Sequence, residues 1–384
     1  MSRRGVGMNA PNAPVALDVA SLGAPMRKPL NAARHLPSEF YASSQAFRLD
    51  KERIFLTHWL CVGREEELPK VGDYFTRNVV GEPILVVRDG SGIAAMQNQC
   101  LHRGVEVVFG EGNARRFICP YHAWVYDVGG RLTRAPHMDN CTADLSAGQL
   151  PRLRTAHWRG WIFVNFSENP QPFDEFIAGY EAPLWFYRSD QCRLAGKVVV
   201  DVACNWKFVA ENLLDIYHVS TLHANTFGKF LKNDKFDFQY IPGGGVSFEY
   251  ESAPLTTDGS KAFAMLPWVQ RGLGFAGKAA IFPNMNLSAR ADSLRMWIIW
   301  PVSEGRTQVH IYMLMHEDSF DARDFEGKLA RYKEYMRSIV AEDQVAVESM
   351  QRLAASGRFQ PGPLSHMEGA IHHFLNRYVE LVGA

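Results

Sequence analysis

The sequence predicts an α+β protein with two domains, each built on antiparallel β-sheet. The 384 residues suffice for two to three domains, and 47% hydrophobic with 21% charged residues is ordinary for a globular protein. Short β-branched runs broken by Gly, Pro and Asp fill the first part, and longer alternating runs lie between two helical stretches in the second. We expect a flexible tail over residues 1–35, a first domain over 36–170 and a second domain over 171–384.

The tail is predicted from its small residues and its frequent proline and glycine. Arg3 and Arg4 resemble the start of a twin-arginine export signal, but Asp18 follows and no clean apolar segment is present, so a tail is favoured. Met8 is a second candidate for the start of the chain. Residues 37–58 predict a short helix that closes the front of the first domain.

The first domain is predicted to be a small antiparallel β domain. Its strand candidates are the runs CVG, YFTRNVV, PILVVRD and GIAAMQN, which follow Trp59 and are separated by turn residues. A further run, GWIFVNF at 160–166, completes this domain. The polar segment SENPQPFDEF then predicts a linker.

Two matched pairs of metal-binding residues lie within this domain. Cys100 and His102 are one residue apart, and after a spacer of sixteen residues the segment Cys119-x-x-His122 repeats the combination. Two thiolates and two imidazoles hold either a tetrahedral zinc or a [2Fe-2S] cluster in which the cysteines take one iron and the histidines the other. Zinc ribbons usually open with a pair of cysteines, whereas both pairs here mix sulfur with nitrogen, which favours the cluster.

The second domain is predicted to combine a sheet with two helices. The strand KVVVDVAC is followed by a helical stretch at 205–223, and a long helix is predicted over 322–355. The glycine-rich segment 241–263 is expected to be irregular, because its GGG lacks the strand-to-helix context of a phosphate loop. The runs KAAIFPNMNLSA, LRMWIIWPV and TQVHIYMLMHE predict further antiparallel strands.

The helical stretch 205–223 carries a second set of candidate ligands. Glu211, Asp215 and His218 fall on one helical face. His223 lies about 140° round the helix from His218, so both bind one metal only if the helix ends or bulges between them. Asp215 is placed to accept the other ring N–H of His218 and to fix its tautomer. The alternative is a buried helix with two hydrogen-bonded core histidines.

A carboxylate for the same metal is predicted on the long C-terminal helix. Asp343 occupies the gap in an apolar stripe made of Phe325, Leu329, Tyr332, Met336, Ile339, Val347 and Met350. A buried carboxylate needs a cation or strong donors, and a buried Arg or Tyr partner is the alternative to a metal. Glu342 and Glu348 lie on polar faces and are weaker candidates. With His218 and His223, Asp343 would form the triad of non-haem Fe(II) oxygenases.

Charge and cysteine usage exclude several classes of protein. Lys+Arg and Asp+Glu are 41 each, so no net field favours nucleic acid or an acidic membrane surface. No apolar run reaches about 18 residues, so no transmembrane helix is expected. The other cysteines show no disulfide-like pairing and no secretory signal, which predicts free thiols and a cytoplasmic protein; they are Cys61, Cys141, Cys192 and Cys204.

At its first set of ligands the sequence resembles the Rieske family. The motif C-x-H-R-G followed by C-P-Y-H-A-W-x-Y-x-x-x-G-x-L is matched by Cys100, His102, Cys119, Pro120, Tyr121, His122, Trp124, Tyr126, Gly130 and Leu132. The resemblance implies a [2Fe-2S] cluster on Cys100, His102, Cys119 and His122, and one-electron transfer as its work.

Over about residues 40–355 the chain resembles the Rieske non-haem iron oxygenases, in particular the large (alpha) subunit of ring-hydroxylating enzymes. The family segment N-W-K-x-x-x-E-N-x-x-D-x-Y-H-x-x-x-x-H and the later E-D-x-x-x-x-E are carried by Asn205, Trp206, Lys207, Glu211, Asn212, Asp215, Tyr217, His218, His223, Glu342, Asp343 and Glu348. This resemblance implies a helix-grip second domain, in which a curved antiparallel sheet and helices hold a mononuclear Fe(II). It also implies a homotrimer in which His122 of one chain meets Asp215 of its neighbour.

The resemblance implies a terminal oxygenase that hydroxylates a small substrate with O2. Electrons would come from NAD(P)H through a separate reductase, with or without a ferredoxin, because this chain has no nucleotide-binding fingerprint. A small beta subunit completes some such assemblies. The expected pocket walls are mostly apolar and aromatic, which favours an aromatic substrate; they are residues 213–240 and 251–275 and the strands around Asn284, Asn286, Trp297 and Ile299.

Several alternatives to aromatic hydroxylation stay open. Relatives that oxidise quaternary amines often carry Glu where this chain has Asp215, which favours aromatic substrates over such amines. O- or N-demethylation is the alternative reaction. A non-enzymatic Rieske electron carrier fused to a ligand-binding domain would lack the mononuclear iron, and a zinc hydrolase on the same triad would be colourless.

Overall fold

Antiparallel sheets make up both halves of the chain in the computed structural model, which describes residues 17–232 and 236–384. Helices pack against these sheets, so the predicted α+β class is confirmed. None of the helices in these two ranges is long and apolar enough to cross a bilayer.

Residues 17–35 differ from the flexible tail that the sequence predicts. Helix α1 (Val19–Gly23) packs against the last helix of the chain, and Met26 is completely buried. The N–H of His35 also donates to the carbonyl of Gly362 at 3.0 Å. Burial of a few apolar side chains therefore outweighs the low hydrophobicity of this segment. Arg3, Arg4 and Met8 lie outside the described residues.

Residues 36–170 form two short α-helices and ten strands. They are α2 (Glu39–Ala42), α3 (Ser44–Asp50), β1 (Leu60–Arg64), β2 (Asp73–Val79), β3 (Glu82–Asp89), β4 (Gly92–Gln97), β5 (Glu111–Asn113), β6 (Arg116–Ile118), β7 (Val125–Asp127), β8 (Leu132–Arg134), β9 (Arg154–Trp158) and β10 (Trp161–Asn165). The strand orders are β1-β10-β9, β4-β3-β2-β5 and β6-β7-β8. All five predicted strand runs of this domain are present, and all pairings are antiparallel.

Residues 171–232 and 236–384 form one seven-stranded antiparallel sheet and five α-helices. They are α4 (Phe173–Glu181), β11 (Cys192–Val202), α5 (Trp206–Leu214), α6 (Val219–Leu222), β12 (Gln239–Ile241), β13 (Gly245–Glu251), β14 (Phe275–Ile281), β15 (Met285–Arg290), β16 (Ser293–Ser303), β17 (Arg306–His316), α7 (Phe325–Ala355) and α8 (Gly369–Gly383). The strand order is β11-β17-β16-β15-β14-β13-β12.

Three segments of this half differ from the prediction. The glycine-rich segment forms the β12–β13 hairpin, because Gly243 and Gly244 take φ angles of +88° and +96° and close a tight turn. The run KAAIFPNMNLSA is two strands, β14 and β15, with a turn between them. The predicted linker already contains the start of α4, whose first turn carries Asp174 and Glu175, both favourable at a helix N-terminus.

Helix α7 buries the predicted apolar stripe against the sheet. The buried members are Phe325, Leu329, Tyr332, Met336, Ile339 and Val347. Met350 is 40% exposed, so the stripe ends one turn earlier than predicted. A separate small core, which includes Leu85, Trp124 and Tyr126, lies under the two cysteine-containing loops. Each half of the chain thus supports its own candidate metal centre.

Candidate metal centres and active site

The first candidate centre lies at the tips of two loops. Cys100 and His102 lie in the loop after β4, and Cys119 and His122 lie in the turn between β6 and β7. Gly104 donates its N–H to the carbonyl of Cys100 at 2.9 Å, and its φ of +75° closes the first loop tightly. The two loops therefore bring all four predicted ligands to one end of the domain.

Sulfur and nitrogen are segregated within this centre. The thiols of Cys100 and Cys119 are buried beside one another, and burial with this neighbouring thiol raises the pKa of Cys119. His102 and His122 are exposed, with their Nδ1 atoms 3.1 Å apart. A [2Fe-2S] cluster of this type needs two thiolates on one iron and two imidazoles on the other, so the donor set fits it.

Two aromatic side chains support the centre. The Tyr126 hydroxyl lies 3.3 Å from Sγ of Cys100 and accepts the N–H of Leu101 at 3.0 Å. Trp124 stacks on His102 with ring centroids 5.1 Å apart. These contacts fix the positions of one sulfur and one imidazole before any metal binds.

At the second candidate centre three donor atoms converge. Nε2 of His218 and Nε2 of His223 are 3.3 Å apart, and Oδ1 of Asp343 lies 3.4 Å from the first and 3.0 Å from the second. Three donors on one face of an octahedral metal, each about 2.1 Å from it, stand about 3.0 Å apart. The triangle therefore fits a mononuclear divalent metal with its opposite face open.

A carboxylate lies against the other ring nitrogen of each histidine. Nδ1 of His218 is 2.9 Å from Oδ2 of Asp215, the contact that the sequence predicts. Nδ1 of His223 is 2.6 Å from Oε2 of Glu342, which also accepts the hydroxyl of Thr226 at 2.8 Å. Each carboxylate favours the tautomer with its proton on Nδ1, which leaves the lone pair of Nε2 for a metal.

The electrostatics of this centre favour a bound positive charge. Burial lowers the pKa of His218, but the carboxylates of Asp215 and Asp343 outweigh burial and raise it to about 9. Burial raises the pKa of Asp343, but hydrogen bonds from the two imidazoles leave it well below its usual range. A proton on His218 thus occupies the place that a metal cation would take.

A break in the helical stretch lets both histidines reach one point. Helix α5 ends at Leu214, and Oδ1 of Asp215 accepts the N–H of Tyr217 at 2.7 Å, a turn that diverts the chain. His218 and His223 then flank the short helix α6. The sequence predicts that the helix is interrupted between the two histidines if both bind one metal. In the structure the helix ends earlier, just before Asp215.

Glu211 lies away from the triad, contrary to its predicted common face with Asp215. Because α5 ends, the carboxylate of Glu211 stays inside the fold, where it accepts the hydroxyl of Tyr41 at 2.8 Å. Burial raises the pKa of Glu211 to about 7. Asn212 contacts the triad instead, and its Nδ2 donates to Oδ1 of Asp343 at 3.1 Å.

Sequence reasoning missed the contact between Glu342 and His223. The polar-face position of Glu342 made it a weaker candidate, although it directly precedes Asp343. Adjacent helical residues point about 100° apart, so a carboxylate next to a metal ligand can reach the flank of the site. Glu348 lies elsewhere, and it accepts the N–H of Ala203 at 3.0 Å.

A cavity opens onto the triad. Its aromatic walls are formed by Phe227, Phe248, Tyr250 and Trp297. Of the strand positions expected to line the pocket, Trp297 does so, whereas the three others lie outside this cavity; these are Asn284, Asn286 and Ile299. The side chain of Asn284 instead bonds the main chain of Cys61.

Three basic side chains that sequence reasoning did not place here also line the cavity. They are Lys278, Arg290 and Arg295, from three neighbouring strands. The cavity is therefore more polar than the predicted apolar and aromatic pocket.

Two family models match the chain. A model described as the Rieske [2Fe-2S] domain matches residues 58–154, which include the first centre. A model described as the ring hydroxylating alpha subunit (catalytic domain) matches residues 189–384, which include the triad.

Similar proteins of named activity are oxygenase subunits. The glycine betaine monooxygenase oxygenase subunit of Pseudomonas aeruginosa is 27% identical over 380 residues, covering 90% of this chain and 88% of that protein. The carnitine monooxygenase oxygenase subunit of Acinetobacter baumannii is 34% identical over 209 residues, which cover 52% of this chain and 55% of that protein. Benzene 1,2-dioxygenase subunit alpha of Pseudomonas putida is 34% identical over 200 residues, which cover 49% of this chain and 44% of that protein.

Solved structures share the fold of both halves. A quaternary ammonium Rieske monooxygenase in complex with L-carnitine superposes with a TM-score of 0.76 at 25% identity, covering 91% of this chain and 96% of that one. Naphthalene 1,2-dioxygenase from Rhodococcus sp. bound to indole also gives a TM-score of 0.76, at 20% identity, and the match covers 95% of this chain and 98% of that one. The predicted pairing of a small β domain with a helix-grip domain is therefore confirmed as a fold.

Proposed function

Because the chain belongs to the ring-hydroxylating alpha-subunit family and carries a Rieske [2Fe-2S] domain, it is the oxygenase subunit of a Rieske oxygenase, and we propose that His218, His223 and Asp343 are its iron ligands. The observation that carries this proposal is the triangle of donor atoms, 3.0–3.4 Å apart, on the wall of a cavity. When bound, the cluster supplies single electrons, and the ferrous ion supplies the position at which O2 is reduced and the substrate oxidised.

We assign the cluster to Cys100, His102, Cys119 and His122. The segregation of buried thiols from exposed imidazoles supports this assignment. Exposed imidazoles suit a centre that exchanges electrons with another protein chain, because they bring the redox group close to the surface.

The other polar residues of the active site are assigned to positioning. Asp215 and Glu342 keep a proton on Nδ1 of His218 and His223, so that both Nε2 lone pairs face the same point. Asn212 orients the carboxylate of Asp343 through its Nδ2 donor. Insertion of one oxygen atom consumes O2, two electrons and two protons and releases water, and insertion of both atoms consumes the same electrons and protons.

Electron delivery is proposed to require partner proteins and neighbouring chains. A separate reductase, with or without a ferredoxin, would pass electrons from NAD(P)H to the cluster. In the proposed homotrimer His122 of one chain meets Asp215 of its neighbour, which the exposure of Tyr121 (53%) and Tyr217 (57%) beside these residues supports. The mass of the purified complex distinguishes a trimer of this chain alone from one completed by a small beta subunit.

A cytoplasmic location is part of the proposal. All six cysteines are free thiols in the structure, and unpaired cysteines are the rule in a reducing compartment.

The reaction proposed first is hydroxylation of a small organic substrate with an aromatic ring. Phe227, Phe248, Tyr250 and Trp297 in the cavity wall support an aromatic substrate. Oxidative removal of an O- or N-methyl group is the second candidate. It is favoured by the relatives named for glycine betaine and carnitine, whose names give no support to breakdown of aromatic hydrocarbons.

Analysis of iron and acid-labile sulfide tests the proposal. We expect three irons and two sulfides per chain, together with substrate-dependent O2 uptake when a surrogate reductase is supplied. Aromatic acids, methoxy-aromatics and methylated amines form the substrate panel. Two irons per chain would indicate an electron carrier with a ligand-binding domain, and a colourless zinc protein would indicate a hydrolase; either result would refute the oxygenase site.

A further inference from the structure

Three basic side chains form one continuous surface of the cavity that opens onto the triad. Lys278 on β14 is in register with Ser288 on β15, and Ser288 is in register with Arg295 on β16. Arg290 lies two residues after Ser288 on β15 and therefore on the same face of the sheet. The register of three strands thus concentrates Lys278, Arg290 and Arg295 at one place.

These basic groups have no counter-charge within residues 17–232 and 236–384, where no carboxylate oxygen lies within 4.0 Å of them. Arg295 donates to the hydroxyls of Tyr332 and Ser288, each at 2.8 Å. Arg290 donates to two main-chain carbonyls, and Lys278 makes no hydrogen bond to the described residues. Arg290 and Arg295 are buried, whereas Lys278 is half-buried at the cavity wall. Buried charge without a counter-ion is destabilising, so its retention points to a binding site.

The pKa of Lys278 is lowered by burial and by its position beside the two arginines. Burial lowers its pKa, and the guanidinium groups of Arg295 and Arg290 lower it further, to about 7, against the opposing effect of Asp343. Guanidinium groups stay charged at any physiological pH. Two cations therefore persist in the cavity at neutral pH, and Lys278 becomes the third when a bound anion raises its pKa.

The carboxylates on the opposite wall do not neutralise this surface. Asp215 lies against His218, and Asp343 lies against both triad histidines. A ferrous ion at the triad would carry two positive charges and the carboxylates of Asp215, Asp343 and Glu342 three negative ones, which leaves one negative charge against the two guanidinium groups. With metal bound, the cavity therefore keeps an excess of positive charge.

Three of the four aromatic rings of the cavity already have one of these cations over them, and Phe248 is the fourth. Nζ of Lys278 lies 4.6 Å from the ring centroid of Trp297, and the guanidinium of Arg290 lies 5.1 Å from that of Tyr250. Quaternary ammonium groups are recognised by aromatic faces of this kind. A cationic headgroup would here meet occupied rings and like charge.

We propose that the substrate of this oxygenase is an organic anion whose carboxylate, or a comparable acid group, is bound by Lys278, Arg290 and Arg295. The apolar part of the substrate would lie against Met336 and Ile339, towards the triad. This inference rests on the proposed function and names its substrate class. The inference requires an acid group on the substrate, which glycine betaine and carnitine also carry, so it sets organic acids apart from cations without an acid group.

Binding to the iron-loaded enzyme under anaerobic conditions tests the inference without requiring turnover. The probes are acids and their neutral amides, namely butyrate, benzoate, 3-phenylpropionate and phthalate with the matching amides, and the cations choline and benzyltrimethylammonium. Isothermal titration calorimetry gives each Kd. We expect at least one acid to bind about tenfold or more tightly than its amide, and neither cation to bind more tightly than that acid.

Three variants test whether Lys278 causes the preference for acid over amide. Lys278→Met removes one charge without removing a hydrogen bond and should reduce the preference for acid over amide by about tenfold, whereas Lys278→Arg should retain it. Lys70→Met, at an exposed lysine of the first domain, is the matched control and should leave the preference unchanged.

Two results overturn the inference: amides that bind as tightly as every acid in the panel, or an unchanged acid preference in Lys278→Met. Failure of the proposed function is distinct, because it appears as two irons per chain or absent O2 uptake while the acid preference is intact.

Discussion

The two candidate metal centres use histidine in opposite ways. His102 and His122 are exposed and converge through Nδ1, and among the described residues no carboxylate bonds either ring. His218 and His223 converge through Nε2, and a carboxylate lies against the Nδ1 of each. This difference fits the proposed roles, because a centre that exchanges electrons with another chain needs accessible imidazoles, whereas a centre for a catalytic metal ion benefits from imidazoles held in place before the metal binds.

Replacement of Asp343 should have the largest effect, because it removes the carboxylate donor of the triad. For Asp343→Ala we expect iron to fall from three to two per chain and O2 uptake to fall to background, with the visible absorption of the cluster unchanged. Glu348→Ala on the same helix is the control. Loss of the cluster absorption as well would show that the two centres are not independent.

Asp215→Asn should abolish turnover while both metals remain bound. The neutral amide cannot stabilise positive charge on His218 or serve as the proposed bridge to His122 of the next chain, so we expect a loss of about 100-fold or more. Steady-state O2 uptake and iron analysis measure the two effects. Retained activity, or release of iron, would contradict the assignment.

Glu342→Gln should weaken iron binding without the same loss of electron transfer. Its amide is a poorer acceptor for Nδ1–H of His223, so we expect iron affinity to fall about 10- to 100-fold by chelator competition. If Glu342→Gln and Asp215→Asn proved identical in iron affinity and turnover, Asp215 would have no role beyond orienting its histidine.

Metal affinity at the triad should rise with pH. The pKa of His218 is about 9 without metal, so its proton stabilises the metal-free fold at low pH and is lost as pH rises through that value. We expect the affinity for Co²⁺ to rise about tenfold per pH unit between about pH 6.5 and 8.5. A flat profile would contradict the raised pKa.

Tyr126→Phe should give the smallest effect, and only at the first centre. The substitution removes the hydroxyl near Sγ of Cys100, so the reduction potential of the cluster should fall. The free energy of unfolding should also fall, by about 1 kcal/mol. Voltammetry and thermal unfolding measure these changes, with Tyr74→Phe as the control. A change in the metal affinity of the triad would show that the two centres are not independent.

Most of the fold and the candidate metal donors could be identified from the sequence because they depend on local patterns. Alternating runs identified the strands of the large sheet, and short spacings identified Cys100, His102, Cys119 and His122. The prediction of a flexible tail was wrong for residues 17–35, because Met26 is buried and its carbonyl accepts a hydrogen bond from Asn376, a residue far along the chain. The β12–β13 hairpin was missed because its GGG was tested only as a phosphate loop.

The basic surface could not be predicted for a different reason. Lys278, Arg290 and Arg295 lie in different strands, and alternation alone does not say which sheet face is inside or which residues stand side by side. Their proximity depends on strand register, which is a property of the whole sheet.

The register of Lys278, Ser288 and Arg295 has a consequence for how such enzymes diversify. The triad ligands lie on and beside helices α6 and α7, whereas the groups proposed to recognise the substrate lie on strands β14–β16. Catalytic chemistry and substrate choice therefore occupy separate layers of the same domain. Substitutions on these strands can therefore change the charge that the cavity selects and leave every proposed iron ligand in place, which makes this sheet the natural target for redesign.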